Sequence, residues 1–127
     1  MRLVVDASAA YLMLGQPCRV EAAIAAASDF MTPELIVAEL LNARWKVARS
    51  GAHAPALATI LALFERFRFV STLAYAADAD SLAHRLDHSI YDCLYAAIAA
   101  CEQAQLLTAD DRFARKLSSL PIGVVLC

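Results

Sequence analysis

At 127 residues the chain has the length of one ordinary domain, and at 61% apolar residues it can fill a core without disulfides or a structural metal. A formal net charge of -2 excludes a generally basic nucleic-acid binder. It does not exclude a nuclease, because bound cations need local acid and themselves attract phosphate.

Only three glycines accompany the many alanines and leucines, which favours helices over an all-β sandwich. Leu3-Val4-Val5 is a short apolar run ending at Asp6, and it reads as a buried parallel strand. Ala7 to Leu14 reads as a short helix ended by Gly15, and a second helical stretch follows Pro17 to about Ser28. Phe30-Met31 reads as a brief strand. Thr32-Pro33-Glu34 has the form of a helix start: a cap, a proline in the first turn and an acid near the positive end. That helix should run to about Arg49, where Ser50-Gly51 stops it, and Pro55 should open another that ends near Arg66. Phe69-Val70-Ser71 reads as a strand and Tyr75 to Leu86 as a helix. Ser89 starts a helix that reaches about Gln103. Leu106-Leu107-Thr108 is a strand, Asp110 to Leu117 a short helix and Val124-Val125-Leu126 a last strand. Short strands alternating with helices predict an α/β fold with a parallel sheet covered on both faces. No repeat, low-complexity tract or linker interrupts it, so residues 1–127 are expected to form a single domain.

Cys18, Cys93, Cys101 and Cys127 have no C-x-x-C spacing and no companion His-Cys cluster, which argues against zinc. They read as small buried or half-buried hydrophobes in a reducing compartment. Asp6 interrupts the only early apolar run, and no apolar segment reaches the length of a membrane span. A cytoplasmic protein without a membrane segment is expected. His53, His84 and His88 lie in polar or loop-like contexts and read as surface residues.

Four acids stand out. Asp6 ends a buried strand, where open parallel sheets bind ligands, although an N-cap for the next helix is the rival reading. Glu39 is flanked by Leu35-Ile36-Val37-Ala38 and Leu40-Leu41, so its carboxylate has apolar neighbours on nearly every side. Burying it unpaired would cost several kcal/mol or force its protonation; a salt bridge along the Asn42 and Lys46 stripe is the alternative. Asp92 closes an S-x-x-D capping box with Ser89 and has a structural reading there. Asp110 follows a strand as Asp6 does. Thr108 and Asp111 make a T-x-x-D box, so Asp111 takes the structural role and Asp110 the functional one. Carboxylates brought together raise each other's pKa, and a hard cation such as Mg²⁺ or Mn²⁺ removes that penalty. No Gly-rich phosphate loop, nucleophile elbow or His-rich ligand set offers another chemistry.

Taken together, the pattern resembles the PIN-domain ribonucleases, and within them the VapC-type toxins of toxin-antitoxin pairs. The resemblance covers nearly the whole chain. It is carried by Val4-Val5-Asp6-Ala7-Ser8-Ala9, by Pro33-Glu34-Leu35 through Glu39 and Asn42-Ala43, by Tyr91-Asp92-Cys93-Leu94-Tyr95-Ala96, and by Leu107-Thr108-Ala109-Asp110. It implies a three-layer α/β/α sandwich with a short parallel sheet and an acidic pocket at the sheet's carboxyl edge. It implies Mg²⁺- or Mn²⁺-dependent cleavage of RNA, often structured RNA such as tRNA, leaving a 5′-phosphate and a 3′-hydroxyl. The metal-site acids carry over as Asp6, Glu39, Asp92 and Asp110, with Asp6 and Asp92 the principal ligands. Ser8, Asn42 and Thr108 match polar positions that support the pocket. A cognate antitoxin protein is implied, with a tail that lies across the acidic pocket. Tyr11, Leu12 and Leu14, on the short helix after Asp6, are candidates for an apolar groove that receives the rest of the tail, with simple core packing the competing reading, and a homodimer is expected.

Arg44, Lys46 and Arg49, with Arg112, Arg115 and Lys116, are candidate contacts to the RNA backbone; an ordinary solvated helix face is the competing reading. Two other functions remain open at this point. One is a haloacid-dehalogenase-type phosphatase, which also begins with a strand and an aspartate but wants a second aspartate where Ser8 stands. The other is a non-catalytic domain that binds RNA or a partner.

Overall fold

The computed structural model describes residues 1–15 and 20–127. Its first strand, β1 (Arg2–Val5), has Leu3, Val4 and Val5 fully buried, so the run is covered on both faces. Helix α1 (Ala7–Gly15) follows Asp6 at once. The next helix, α2 (Glu21–Ala26), is the later part of the stretch expected after Pro17; Pro17 and Cys18 lie outside the described residues. Then come β2 (Asp29–Pro33), α3 (Leu35–Arg49), α4 (Leu57–Phe64) and β3 (Arg68–Val70). A 3₁₀ turn (Leu73–Tyr75) leads into α5 (Ala76–Leu86). The chain continues through α6 (Ile90–Cys101), β4 (Gln105–Thr108) and α7 (Asp111–Leu117) to β5 (Val124–Leu126).

All strand pairs are parallel, in the order β3-β2-β1-β4-β5. From β1 the chain moves outward through β2 to β3, then returns past them to β4. Right-handed crossovers of that path put helices on both faces of the sheet, and the packing agrees: α1 touches α3 and α4, while α5 lies on α6. The result is the expected three-layer α/β/α sandwich. Its topological switch point lies between β1 and β4, and a crevice at the carboxyl ends of those two strands is where such a sheet binds ligands. Asp6 leaves β1 at that point, and its N–H still bonds Leu107 O on β4 at 3.1 Å.

One helix start differs from expectation. Thr32 and Pro33 belong to β2, where they pair with Phe69 and Val70 of β3, and α3 begins only at Leu35. Thr32 caps nothing; its hydroxyl donates to Val5 O at 3.0 Å and ties β2 to the end of β1 beside Asp6. Pro33, lacking an N–H, is tolerated because it is the strand's last residue. The other end of α3 conforms: Gly51, at φ +83°, takes the left-handed position past the last turn.

Cys93 is buried and Cys127 half-buried, as expected, but Cys101 is exposed, because the last turn of α6 runs out of the core. No helix among the described residues is long and apolar enough to cross a membrane.

Candidate active site

Asp6 is 4% exposed. Its Oδ1 accepts from the Ser8 hydroxyl at 2.7 Å and from the Ala9 N–H at 2.9 Å. The capping reading and the site reading therefore coexist, since a carboxylate has more lone pairs than a cap uses. Burial is the largest influence and pushes the Asp6 carboxyl above its ordinary value. Donors from Thr108, Ala9 and Ser8 pull it down, and the charge of Asp92 raises it again. No cationic side chain is among these partners.

Glu39 is half-buried on α3. Burial raises its carboxyl most, the Tyr95 hydroxyl at 2.6 Å lowers it, and the charges of Asp92 and Asp6 raise it further. Asp6, Glu39 and Asp92 thus stand in one another's electrostatic field, although α3 and α6 are far apart in sequence.

Asp92 does not make the expected capping box. Ser89 is the residue before α6, but no side-chain cap forms there. Asp92 Oδ2 instead meets His88 Nε2 at 2.7 Å. His88 itself corrects a sequence expectation: its side chain is 12% exposed and its ring stacks on Phe113, so it is not a surface residue.

Asp110 sits one step away from the other three. Its Oδ1 accepts from the Phe113 N–H at 3.0 Å and caps α7. The sequence assigned that cap to a Thr108–Asp111 box, but α7 begins at Asp111, so the residue in cap position is Asp110. Asp111 is exposed and pairs with Arg115 at 2.7 Å. Asp110 connects to Asp6 through hydroxyls. Its N–H donates to Thr108 Oγ1 at 3.1 Å, Thr108 lies 3.3 Å from Ser8 Oγ, and Ser8 donates to Asp6. The Ala109 N–H also donates to Ser8 Oγ at 2.9 Å. Two of the pocket-supporting positions, Ser8 and Thr108, therefore join the ends of β1 and β4.

The third, Asn42, is exposed. With Glu39, Ser8, Tyr11 and Lys46 it lines a cleft of about 310 Å³. Glu39 and Asn42 also border a second cleft of about 510 Å³, beside Tyr91. Of the basic candidates, Lys46 lines the first cleft, whereas Arg44 donates from Nε to Pro55 O at 3.0 Å. The Arg49 guanidinium lies 5.2 Å from the Trp45 ring centre. Arg112 is exposed on α7, Arg115 is paired with Asp111, and Lys116 donates to Asp87 O.

Among the described residues, no three acid, His or Cys side chains lie close enough as they stand to grip one ion. The donor chemistry nevertheless suits a hard divalent cation: the carboxylates of Asp6, Glu39 and Asp92 act on one another electrostatically, and neither Asp6 nor Glu39 has a salt-bridge partner among the described residues. Sequence reasoning missed two groups that bond the acids, His88 and Tyr95. For His88 the signal available was its helical spacing from Asp92; Tyr95 bonds an acid on another helix, which no local spacing announces.

The model of the PIN domain family matches residues 3–116. A curated relative, Ribonuclease VapC3 from Pyrobaculum aerophilum, is 34% identical over 94% of this chain and 98% of its own length. Solved structures share the fold. PAE2754 from Pyrobaculum aerophilum superposes with a TM-score of 0.76 at 23% identity, covering 98% of this chain and 83% of that one. A toxin-antitoxin complex from Klebsiella pneumoniae contains a chain that superposes with a TM-score of 0.71 at 17% identity, covering 97% and 95%. With its sheet order, its acids at the switch point and a family match over nearly its full length, the chain belongs to the PIN-domain family, among the VapC-type proteins.

Proposed function

We propose that this chain is a metal-dependent endoribonuclease, the toxin of a toxin-antitoxin pair, acting as one domain in the cytoplasm. The observation that carries the reading is Asp6: a buried carboxylate at the switch point, in the field of Glu39 and Asp92, with only neutral donors around it. The relative's activity, as its name gives it, is of the same class.

In this reading Asp6 and Asp92 are the principal ligands for Mg²⁺ or Mn²⁺, and Glu39 and Asp110 complete the set directly or through water. Such an ion, when bound, supplies an acidified water and offsets charge on the scissile phosphate. The chain's own residues hold that arrangement. Ser8 and Ala9 fix the Asp6 carboxylate from one side. Tyr95 fixes Glu39. Ser8 and Thr108 lock the ends of β1 and β4 together, so the acids on the two strands keep a constant separation. Lys46 and Asn42, on the wall of the cleft, receive the RNA backbone. Arg112, exposed on α7, extends the same basic contact.

The restraining partner is a cognate antitoxin protein, and structurally similar chains have been solved in toxin-antitoxin complexes. Tyr11 and Leu14, with His53, Pro55 and Thr59 across a groove of about 480 Å³ of mixed polar and apolar lining, offer the surface for its tail; Leu12 does not line that groove. A homodimer and a structured RNA substrate such as tRNA belong to the same reading.

The test is cleavage of structured RNA by the purified chain with Mg²⁺, with Mn²⁺ and with EDTA, alongside Asp6→Asn. Cleavage that needs the metal and is lost in Asp6→Asn is expected. Cleavage indifferent to both would refute the acidic site. Hydrolysis of a small phosphate monoester without RNA cleavage would make the chain a phosphatase.

A further inference from the structure

α7 is fastened to the loop before α6 at two points. Lys116 Nζ donates to Asp87 O at 2.8 Å. The Phe113 ring stacks on the His88 imidazole, with centroids 4.6 Å apart and planes 20° from parallel. The loop has little freedom of its own. Asp87 ends α5 in the left-handed region at φ 47°, a conformation that Asp tolerates better than most side chains. The His88 N–H is bonded to Ala83 O at 3.1 Å. Backbone and ring of His88 are therefore both fixed.

From that fixed position Nε2 meets Asp92 Oδ2 at 2.7 Å, the one hydrogen bond of that carboxylate among the described residues. The stack on Phe113 accounts for the ring, but it does not account for a polar atom aimed at an acid. The same Phe113 donates its N–H to Asp110 Oδ1 at 3.0 Å. Two of the four proposed ligands are thus coupled through one aromatic pair: Asp110 holds Phe113, Phe113 orients His88, and His88 holds Asp92.

We propose that His88 is a positioning residue for Asp92: by engaging Oδ2 it sets the carboxylate's rotation and presents Oδ1 to a divalent cation. The proposal rests on the reading of this site as a Mg²⁺ or Mn²⁺ centre. A carboxylate that rotates freely must be ordered when the ion arrives, whereas one already held by a neighbour need not be, and partners of this kind typically carry 10- to 100-fold in metal affinity.

Two substitutions separate the hydrogen bond from the packing. His88→Phe keeps a ring on Phe113 and removes the polar atom. His88→Gln keeps a donor near the place of Nε2 and removes the ring. Each variant is titrated with Mn²⁺ by calorimetry at one fixed pH, with melting of the metal-free protein measured in parallel. His88→Phe is expected to melt near wild type yet bind Mn²⁺ about 10- to 100-fold more weakly, with His88→Gln within about threefold of wild type. Equal affinity in wild type and His88→Phe overturns the proposal, as does a larger deficit in His88→Gln than in His88→Phe. Should His88→Phe fold poorly, His88→Gln against His88→Ala decides in the same way, and equal affinities overturn it. A wild-type chain that binds no Mn²⁺ overturns the metal reading itself, and this proposal with it. A deficit confined to the variants lacking the donor leaves the metal reading standing.

Discussion

The Tyr95 hydroxyl on α6 donates to the Glu39 carboxylate on α3 at 2.6 Å, joining the two helices beside the site. Burial and the charge of Glu39 push the Tyr95 phenol well up, so it stays protonated and acts only as a donor here. That bond is the influence that lowers the Glu39 carboxyl against its burial and the charges of Asp92 and Asp6.

Tyr95→Phe keeps the ring in its buried seat and deletes that donor. The Glu39 carboxyl should then rise further, so the acid limb of the cleavage profile should move to higher pH. Loss of a partner to a site carboxylate should also lower kcat by roughly tenfold at neutral pH. The measurement is a pH profile of RNA cleavage for wild type and variant, with melting curves as the control for folding. An unmoved acid limb would mean that Glu39 ionisation does not limit the reaction.

A second prediction concerns Asp6 and the metal-free fold. Its carboxyl lies above the ordinary 3.8, chiefly through burial, and Glu39 is shifted the same way from 4.5. A carboxyl raised in the folded state binds more protons folded than unfolded. Its favourable contribution is complete below the unfolded value and is lost as pH rises through the folded one. In EDTA, the melting temperature should therefore rise as pH is lowered from neutral through the raised folded-state values of these two carboxyls. On further acidification Asp29 reverses the trend, because Arg68 holds its carboxyl low and that contribution is lost as Asp29 protonates. Asp6→Asn keeps an Oδ1 to accept from Ser8 and Ala9 while removing the charge. It should be at least as stable as wild type at pH 7, with a flatter slope on the way down to the ordinary carboxylate range. Mn²⁺ should raise the melting temperature of wild type, by the equivalent of about 2.7 kcal/mol at one hundred times Kd, and should do little for Asp6→Asn. A steeper pH dependence in Asp6→Asn, or equal stabilisation by Mn²⁺, would remove Asp6 from the ion site.

The strands were legible because Leu3-Val4-Val5 and Leu106-Leu107-Thr108 are buried on both faces, and a run with that burial is written as continuous apolar sequence. The acids after them were legible for the same reason, since polarity resumes where the sheet ends. Helix starts were less so. Thr32-Pro33 carries a cap signature, yet pairing with β3 and the Thr32 bond to Val5 O claim those residues for the sheet. At α7, the Thr108–Asp111 spacing has the form of a capping box, but Asp110 is itself a good capping residue, and only the helix start at Asp111 decides that Asp110 is the cap. Tyr95 and His88 were hidden by a different cause. Tyr95 bonds Glu39, from another helix, and the His88 ring is seated on Phe113, from another element, and no local pattern encodes a tertiary contact; only the His88–Asp92 bond lies at readable helical spacing. Glu39 was readable because its apolar flanks make an unpaired charge expensive wherever the helix packs.

The last prediction separates two basic residues that the sequence treats alike. Arg44 and Lys46 are two positions apart on α3, so they point to different sides of the helix. Arg44 is half-buried, and its Nε bonds Pro55 O, which pins α3 to the segment that opens α4. Lys46 is exposed on the wall of the cleft that holds Ser8, Glu39 and Asn42. Lys46→Ala should raise KM for RNA with kcat nearly unchanged, and should reduce the salt slope of binding by about one, as expected for one lost phosphate contact. Its melting temperature should stay at the wild-type value. Arg44→Ala should do the reverse: about 1 kcal/mol less stable from the lost hydrogen bond, with the salt slope unchanged. Cleavage kinetics at several salt concentrations, with melting curves for both variants, distinguish the two. If Arg44→Ala flattens the salt dependence and Lys46→Ala does not, the RNA backbone runs along the α3–α4 side of the helix and the path through the Glu39 cleft is wrong.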